Sequence, residues 1–270
     1  MQFIDQLNRK IEVENSPKRI VSIVPSQTEL LVDLGLTSRI VGVTKFCIHP
    51  ADLRKKTTVV GGTKNLNIER IKSLNPDLIL ANKEENDHSQ ILELEKYFPV
   101  WISDIKTLND SIDMILAVGL ITDTHEYAKQ LCDQILNAFN HWENVKLSDS
   151  NFQKRKTAVY LIWNDPMMSV NRDTFINDLM NRFGVMNLFE SKNESRYPII
   201  IESELIESSP DFLFLATEPF PFKPEHHKQF EQLLPNTKIV TVDGEMFSWY
   251  GSRLLFAPKY FEQLFQDIHS

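Results

Sequence analysis

The sequence predicts an α/β protein with two parallel-sheet lobes on either side of one long helix. Three observations predict it. Short apolar runs ending in turn residues alternate with helical patterns in both halves. Residues 107–146 carry no strand pattern and no proline. The order helix, Pro-Asp, strand, helix, strand occurs twice, once around Pro76-Asp77 and once around Pro210-Asp211. The expected division is 1–106 for the first lobe, 107–147 for the connecting helical segment and 148–270 for the second lobe.

In chain order, Phe3-Ile4-Asp5 and Lys10-Ile11-Glu12-Val13 alternate around Asn8-Arg9 and read as a polar hairpin. Arg19–Val24 is a largely apolar run, the pattern of a buried parallel strand. Ser26 and Glu29 have capping-box spacing, which predicts a helix through Leu34 closed by Gly35. Ile40–Val43 is the second strand. Residues 67–74 form a short helix broken by Asn75-Pro76-Asp77, and Leu78–Ala81 is an apolar strand. A helix through Ile91, Leu94 and Tyr97 leads to a strand at Val100–Ile102.

From Thr124, the apolar residues Tyr127, Leu131, Ile135, Phe139, Trp142 and Val145 keep helical spacing. About 22 residues at ~1.5 Å each give a helix of ~33 Å, long enough to pass from one lobe to another. Residues 148–151 read as a turn. Ala158–Trp163 starts the second lobe, followed by a helix at 173–182 ending near Gly184. Phe212–Ala216 and Lys238–Val242 are its later strands.

Composition narrows the function classes. The 270 residues carry 29 Lys plus Arg against 37 Asp plus Glu, a net charge of −8, so no general attraction to nucleic acid or anionic membrane is expected. Two cysteines exclude a disulfide framework. No apolar run is long enough to span a bilayer. The first residues show no apolar signal segment, which raises a cytoplasmic location as an alternative.

Dinucleotide and phosphate-loop fingerprints are missing, and Gly61-Gly62 reads as a turn. Ser26 lacks Gly-x-Ser-x-Gly flanks, so its cap role explains it without nucleophilic chemistry. Asp165, Asp243 and Glu245 could form a carboxylate set, yet strand-end acids bind ligands as readily as they catalyse. The histidines are dispersed, adjacent His226 and His227 point apart on a helix, and Cys47 with His49 is too small a ligand set. No intrinsic metal centre, no cofactor and no catalytic residue is expected.

Aromatic residues on segments after strands are more telling: Phe46, Trp163, Tyr197, and the group Glu245, Phe247, Trp249, Tyr250 and Arg253. Ligands of open α/β sheets sit beyond the carboxyl ends of strands. An aromatic-lined cleft between the lobes is expected, with Trp163 and Trp249 facing it. Burial of Trp163, Phe247 and Trp249 in the core is the competing reading.

Residues 17–30, then Gly35-Leu36 and Val41-Gly42-Val43-Thr44, resemble the opening of substrate-binding proteins of iron–siderophore, haem and cobalamin ABC importers. Asn67–Ile71 through Asn75–Ala81 resembles that family's second signature, and Trp249–Arg253 its closing region. The resemblance covers nearly the whole chain and is nearest the cobalamin-binding branch. It implies two Rossmann-like lobes joined by one rigid helix, a ligand that can be a metal chelate, and a monomer that delivers cargo to a permease at the cell envelope rather than an enzyme. A cytoplasmic enzyme, cofactor-handling protein or sensor on the same fold is the alternative. By resemblance the ligand contacts include Phe46, Trp163, Tyr197 and Glu245; Trp249 and Arg253, in the group after the last strand, and Thr63 and Asn82 complete the candidate set. Thr63 and Asn82 stand where cobalamin binders carry tryptophan, which leaves the cargo open. Permease docking through one carboxylate per lobe maps to Glu69 and, around Ser203, to Glu204 or Glu202.

Overall fold

The computed structural model describes residues 1–148 and 155–269. The turn expected at 148–151 falls, from Asp149 onward, outside the described residues. The chain divides into two compact units. The first holds Met1–Ile105, Asn109–Ile135 and Tyr250–Arg253; the second holds Lys106–Leu108, Leu136–Trp249 and Leu254–Ser270.

The first unit begins with an antiparallel hairpin of β1 (Gln2–Ile4) and β2 (Lys10–Glu12), with Asn8 left-handed at its turn. There follow β3 (Ile20–Ser22), α1 (Pro25–Asp33), β4 (Ile40–Val43), α2 (Leu53–Lys56), β5 (Thr58–Val59), α3 (Ile68–Leu74), β6 (Leu78–Asn82), α4 (His88–Glu95) and β7 (Val100–Ser103). The five later strands form one parallel sheet in the order β5-β4-β3-β6-β7. Its centre is continuous apolar sequence because both faces are covered: every residue of β3 and β6 is buried.

The capping box expected at Ser26 does not form. Helix α1 starts one residue earlier, with Pro25 in its first turn and Val24 as N-cap, and no side chain caps it. Proline supplies the helical φ and lacks the N–H that a cap would satisfy. Glu29 is used elsewhere, pairing with Arg253. Gly35 does close the helix, at φ +76°.

The helical segment contains two helices, α5 (Leu108–Thr122) and α6 (His125–Ser148), separated at left-handed Asp123. Helix α6 runs from the first unit into the second without a break.

The second unit contains β8 (Lys156–Leu161), a small hairpin of β9 (Trp163–Asn164) and β10 (Met167–Met168), α7 (Phe175–Phe183), β11 (Val185–Asn187), α8 (Glu202–Ser208), β12 (Phe212–Ala216), α9 (Pro224–Leu233), β13 (Lys238–Val242), α10 (Gly244–Ser248) and α11 (Ala257–His269). Its main sheet is parallel, in the order β11-β8-β12-β13. Phe214 of that sheet and Phe183, Phe247 and Phe261 from helices of the same unit interlock, with Phe247 and Phe261 centroids 5.0 Å apart, and Trp142 of α6 stacks on Phe183. The first strand ends at Leu161, two residues short of expectation, because Trp163 turns into the β9–β10 hairpin.

The internal echo has a physical cause. Helix α3 ends in left-handed Asn75 (φ 44°) and α8 in left-handed Ser209 (φ 42°), each followed by a buried proline and an aspartate. Asp77 accepts the backbone N–H groups of Lys18 and Arg19 at 2.7 and 2.8 Å, at the entry to β3. Asp211 accepts from Thr157 N–H at 2.9 Å and from Lys156 Nζ at 2.8 Å, at the start of β8. One carboxylate in each sheet thus ties the strand after the helix to the central strand beside it.

Asp211→Ala should lower stability by about 1–3 kcal/mol, the cost of leaving such donors unpaired, read by urea unfolding. Burial raises the Asp211 carboxyl, but the bonds from Lys156 and Thr157 more than offset this and hold it below its ordinary 3.8. Its stabilisation is therefore complete above 3.8 and lost as the pH falls through the lower folded value, so the wild-type advantage over the variant should shrink in that acid range.

Candidate functional site

Both parallel sheets end in loops at the carboxyl ends of their strands. Each sheet also has a switch point, where successive connections leave in opposite directions. In the first unit this lies between β3 and β6, and in the second between β8 and β12.

The first unit fills its switch point with its own polar side chains. Gln27 donates to Ser103 Oγ at 2.6 Å and to the Ala81 carbonyl at 3.2 Å. Asn82 donates to Ser103 Oγ at 3.0 Å and accepts the N–H groups of Glu84 and Glu85 at 2.8 and 3.0 Å. Asn86 donates to the carbonyls of Ile23 and Thr63. The Tyr250 hydroxyl lies 3.5 Å from Glu85 Oε1, and burial raises its pKa well above the ordinary value. Gln27, Asn82, Asn86 and Ser103 are all buried. Asn82, expected at the ligand, is thus a loop organiser whose amide is used at both ends.

Phe46 is different. It follows β4, is 49% exposed, and carries the Lys45 ammonium 5.0 Å from its ring centre. A Cβ on Gly62 would come within 3.2 Å of the Phe46 ring, so the glycine lets the ring lie close on the turn after β5. Thr63, next along that turn, is half-buried. Arg253 does not present a free guanidinium. It forms a two-pronged pair with Glu29, at 2.9 and 2.5 Å, and both side chains are mostly buried.

In the second unit Trp163 is 39% exposed, with its Nε1–H donated to the Asp165 carbonyl at 3.0 Å. Its ring meets Phe220, in the loop after β12, with centroids 5.4 Å apart. Phe220 packs edge-on against Phe222 (4.8 Å) and His226 (5.3 Å). Sequence reasoning missed this loop because Phe220 and Phe222 sit among prolines and match no motif; their position after an apolar strand was the available signal. Tyr197 is half-buried, and its N–H is 3.3 Å from Ser195 Oγ. Glu245 is half-buried in the first turn of α10, whose N-cap is Asp243.

Trp249, also expected at the ligand, is 8% exposed and donates Nε1–H to Glu218 Oε1 at 2.7 Å. An indole buried with its N–H satisfied is stable without a ligand. Phe247 is fully buried, in keeping with the core reading. Among the docking candidates, Glu69 has an 83% exposed side chain beside Lys72 at 3.1 Å. Glu202 is exposed and, among the described residues, is in no ion pair. Glu204 is occupied twice: it pairs with Lys192 and accepts the Ile201 N–H at 2.9 Å, holding the start of α8. Among the described residues no group of three or more His, Cys, Asp or Glu side chains is placed to hold a metal ion.

Burial raises the Glu218 carboxyl above its ordinary 4.5, while bonds from Trp249 and Ser248 oppose the shift. A raised carboxyl stabilises the fold below 4.5 and loses that contribution as the pH rises through the folded value. Glu218→Gln keeps an acceptor for the indole and removes the buried charge. Urea unfolding should show the variant gaining on wild type as the pH is raised from below 4.5 to neutral; an unchanged difference would contradict the burial argument.

Residues 20–237 match the family described as Periplasmic binding protein. An uncharacterized ABC transporter substrate-binding lipoprotein of Bacillus subtilis strain 168 is 22% identical over 257 residues, covering 93% of this chain and 81% of the relative. Among solved structures, the periplasmic vitamin B12 binding protein of Vibrio cholerae superposes with a TM-score of 0.80 at 19% identity, covering 94% of this chain and 99% of that one. The periplasmic heme-binding protein of Roseiflexus sp. RS-1 gives 0.81 at 18% identity, with 94% and 99% covered. These likenesses show the same α/β fold of two parallel sheets joined through helices. With the family matched over most of its length, the chain belongs to the periplasmic binding proteins, the non-enzymatic substrate-binding components of ABC transporters.

Proposed function

We propose that this protein captures a bulky ligand of the cobalamin, haem or ferric siderophore class and delivers it to the permease of an ABC importer at the cell envelope. The observation that carries the reading is the family match across residues 20–237. Exposed rings at strand ends support it, because large chelates need apolar area and stacked aromatic surfaces are favourable to bury. In the first unit the ligand-facing candidates are Phe46 and Thr63; in the second they are Trp163, Tyr197 and Glu245. Metal arrives inside the ligand, as cargo.

Docking on the permease is assigned to Glu69 and Glu202. Helices α3 and α8 are both seven residues long and end at the same Pro-Asp step, so Glu69 aligns with Ser203. Glu202 is the neighbouring carboxylate with no ion pair among the described residues, whereas Glu204 is spent on Lys192 and on its own helix.

A thermal-shift screen with cyanocobalamin, haemin and ferric siderophores tests the reading: a true ligand at a hundredfold excess over its dissociation constant should stabilise by ~2.7 kcal/mol. No shift with any of them would refute it. Trp163→Ala should weaken ligand binding about tenfold with an unchanged urea midpoint, since the ring is exposed and its loss opens no cavity. Charge reversal at Glu69 should stop uptake in cells while leaving ligand affinity intact, because exposed rim charges govern association with a partner.

A further inference from the structure

The two switch points differ in a way that bears on the cargo. In the first unit the crevice between β3 and β6 is closed by Gln27, Asn82, Asn86 and Ser103, buried and bonded to one another or to backbone. In the second unit the crevice between β8 and β12 is bordered by rings: Trp163 is exposed, and Phe220, Phe222 and His226 are half-buried. Trp163 follows β8, Phe220 and Phe222 follow β12, and His226 lies in the first turn of α9. The rings meet edge to face, at 63° for Trp163 with Phe220 and 68° for Phe220 with Phe222. Edge-to-face contact uses a ring's rim on one side and leaves a neighbouring face for something else to stack on.

The polar atoms of this cluster are also committed in an informative way. The Trp163 N–H is spent on the Asp165 carbonyl, so the indole offers a visitor only its π surface. His226 Nδ1 accepts the N–H of Lys223 at 2.8 Å, taking the part that Glu or Gln plays in a capping box. A neutral imidazole has one proton, and an accepting Nδ1 places it on Nε2. Nε2 is therefore an N–H donor with no lone pair for a metal. His227, next in sequence, is held apart by Thr241 Oγ1, 2.7 Å from its Nε2. The N-cap residue Lys223 adds an exposed cation, 3.9 Å from Glu225.

We propose that Trp163, Phe220, Phe222 and His226 form a stacking platform for a flat conjugated ligand that bears a carboxylate on its edge, with His226 Nε2–H donating to that carboxylate rather than binding a central metal. This rests on the substrate-binding reading above and narrows its ligand class. Flexible, non-aromatic chelates gain little from such a surface. A chelate whose faces are blocked by axial groups cannot lie on it.

The test uses the full chain and four probes: haemin, metal-free protoporphyrin IX, cyanocobalamin, and ferrioxamine as the non-aromatic chelate, each titrated by isothermal calorimetry. Haemin and protoporphyrin IX should bind saturably with dissociation constants within about threefold of each other, because the metal is not ligated. Phe220→Ala should weaken both about tenfold, and Phe220→Tyr should restore them. His226→Leu should weaken both about tenfold, whereas His226→Gln, which can both cap the helix and donate an N–H, should stay within about threefold of wild type. Urea midpoints of all four variants separate binding from folding. Binding of haemin but not of the metal-free ring would overturn the donor role of His226. Unchanged porphyrin affinity in a folded Phe220→Ala would overturn the platform. Binding of cyanocobalamin or ferrioxamine with none of either porphyrin would overturn the platform while leaving the substrate-binding reading in place. Failure of all four probes to bind would count against both.

Discussion

Each sheet depends on a carboxylate at its amino-terminal edge. Asp77 holds the entry to β3, and Asp211 holds the start of β8. Parallel strands cannot be joined by tight hairpins, so every strand arrives by a crossover and its register must be set at the point of entry. A helix that stops in a left-handed residue, a buried proline that prevents its restart, and an aspartate that collects neighbouring N–H groups set that register locally. With the amino-terminal ends tied, the variable loops fall at the carboxyl ends. There they can carry binding residues without disturbing the sheet.

The two sheets use that freedom differently. In the first unit amides and hydroxyls converge between β3 and β6 and bond to one another, while Phe46 on its glycine turn stays exposed. In the second unit the loop after β12 carries aromatic side chains out beside Trp163. Buried polar groups that bond to one another rigidify a site, and partly exposed rings with satisfied or absent polar atoms retain apolar area for a guest. A substrate-binding protein needs both a surface that holds its shape and a surface that gains from being covered.

Carboxylates in the chain divide along the same line. Asp77, Asp211 and Glu204 are committed to backbone N–H groups, Glu29 to a buried arginine and Glu218 to a buried indole. Glu69 and Glu202 keep exposed side chains on helices of equal length that precede matching Pro-Asp steps. Residue type alone does not separate these groups, because all are acids near helix starts or strand ends. Their partners do.

Much of the architecture was legible in the sequence because it rests on local rules. The apolar strands at Ile20, Leu78 and Phe212, Gly35 after α1, the helix breaks at Pro76-Asp77 and Pro210-Asp211, and the length of α6 each follow from propensity, periodicity or turn chemistry alone. What the sequence could not decide is which of two chemically adequate partners each side chain takes. Ser26 and Glu29 have capping-box spacing, yet Pro25 starts the helix and Glu29 goes to Arg253, 224 residues away. Trp163 and Trp249 both follow strands, yet one is exposed in a hairpin and the other is buried on Glu218. Phe220 and Phe222 carry no motif and become a site only because β12 lies beside β8. Helical period and turn chemistry act over a few residues, so they are written in the chain. Burial and pairing depend on residues brought together by the sheet order, so only the tertiary structure decides them.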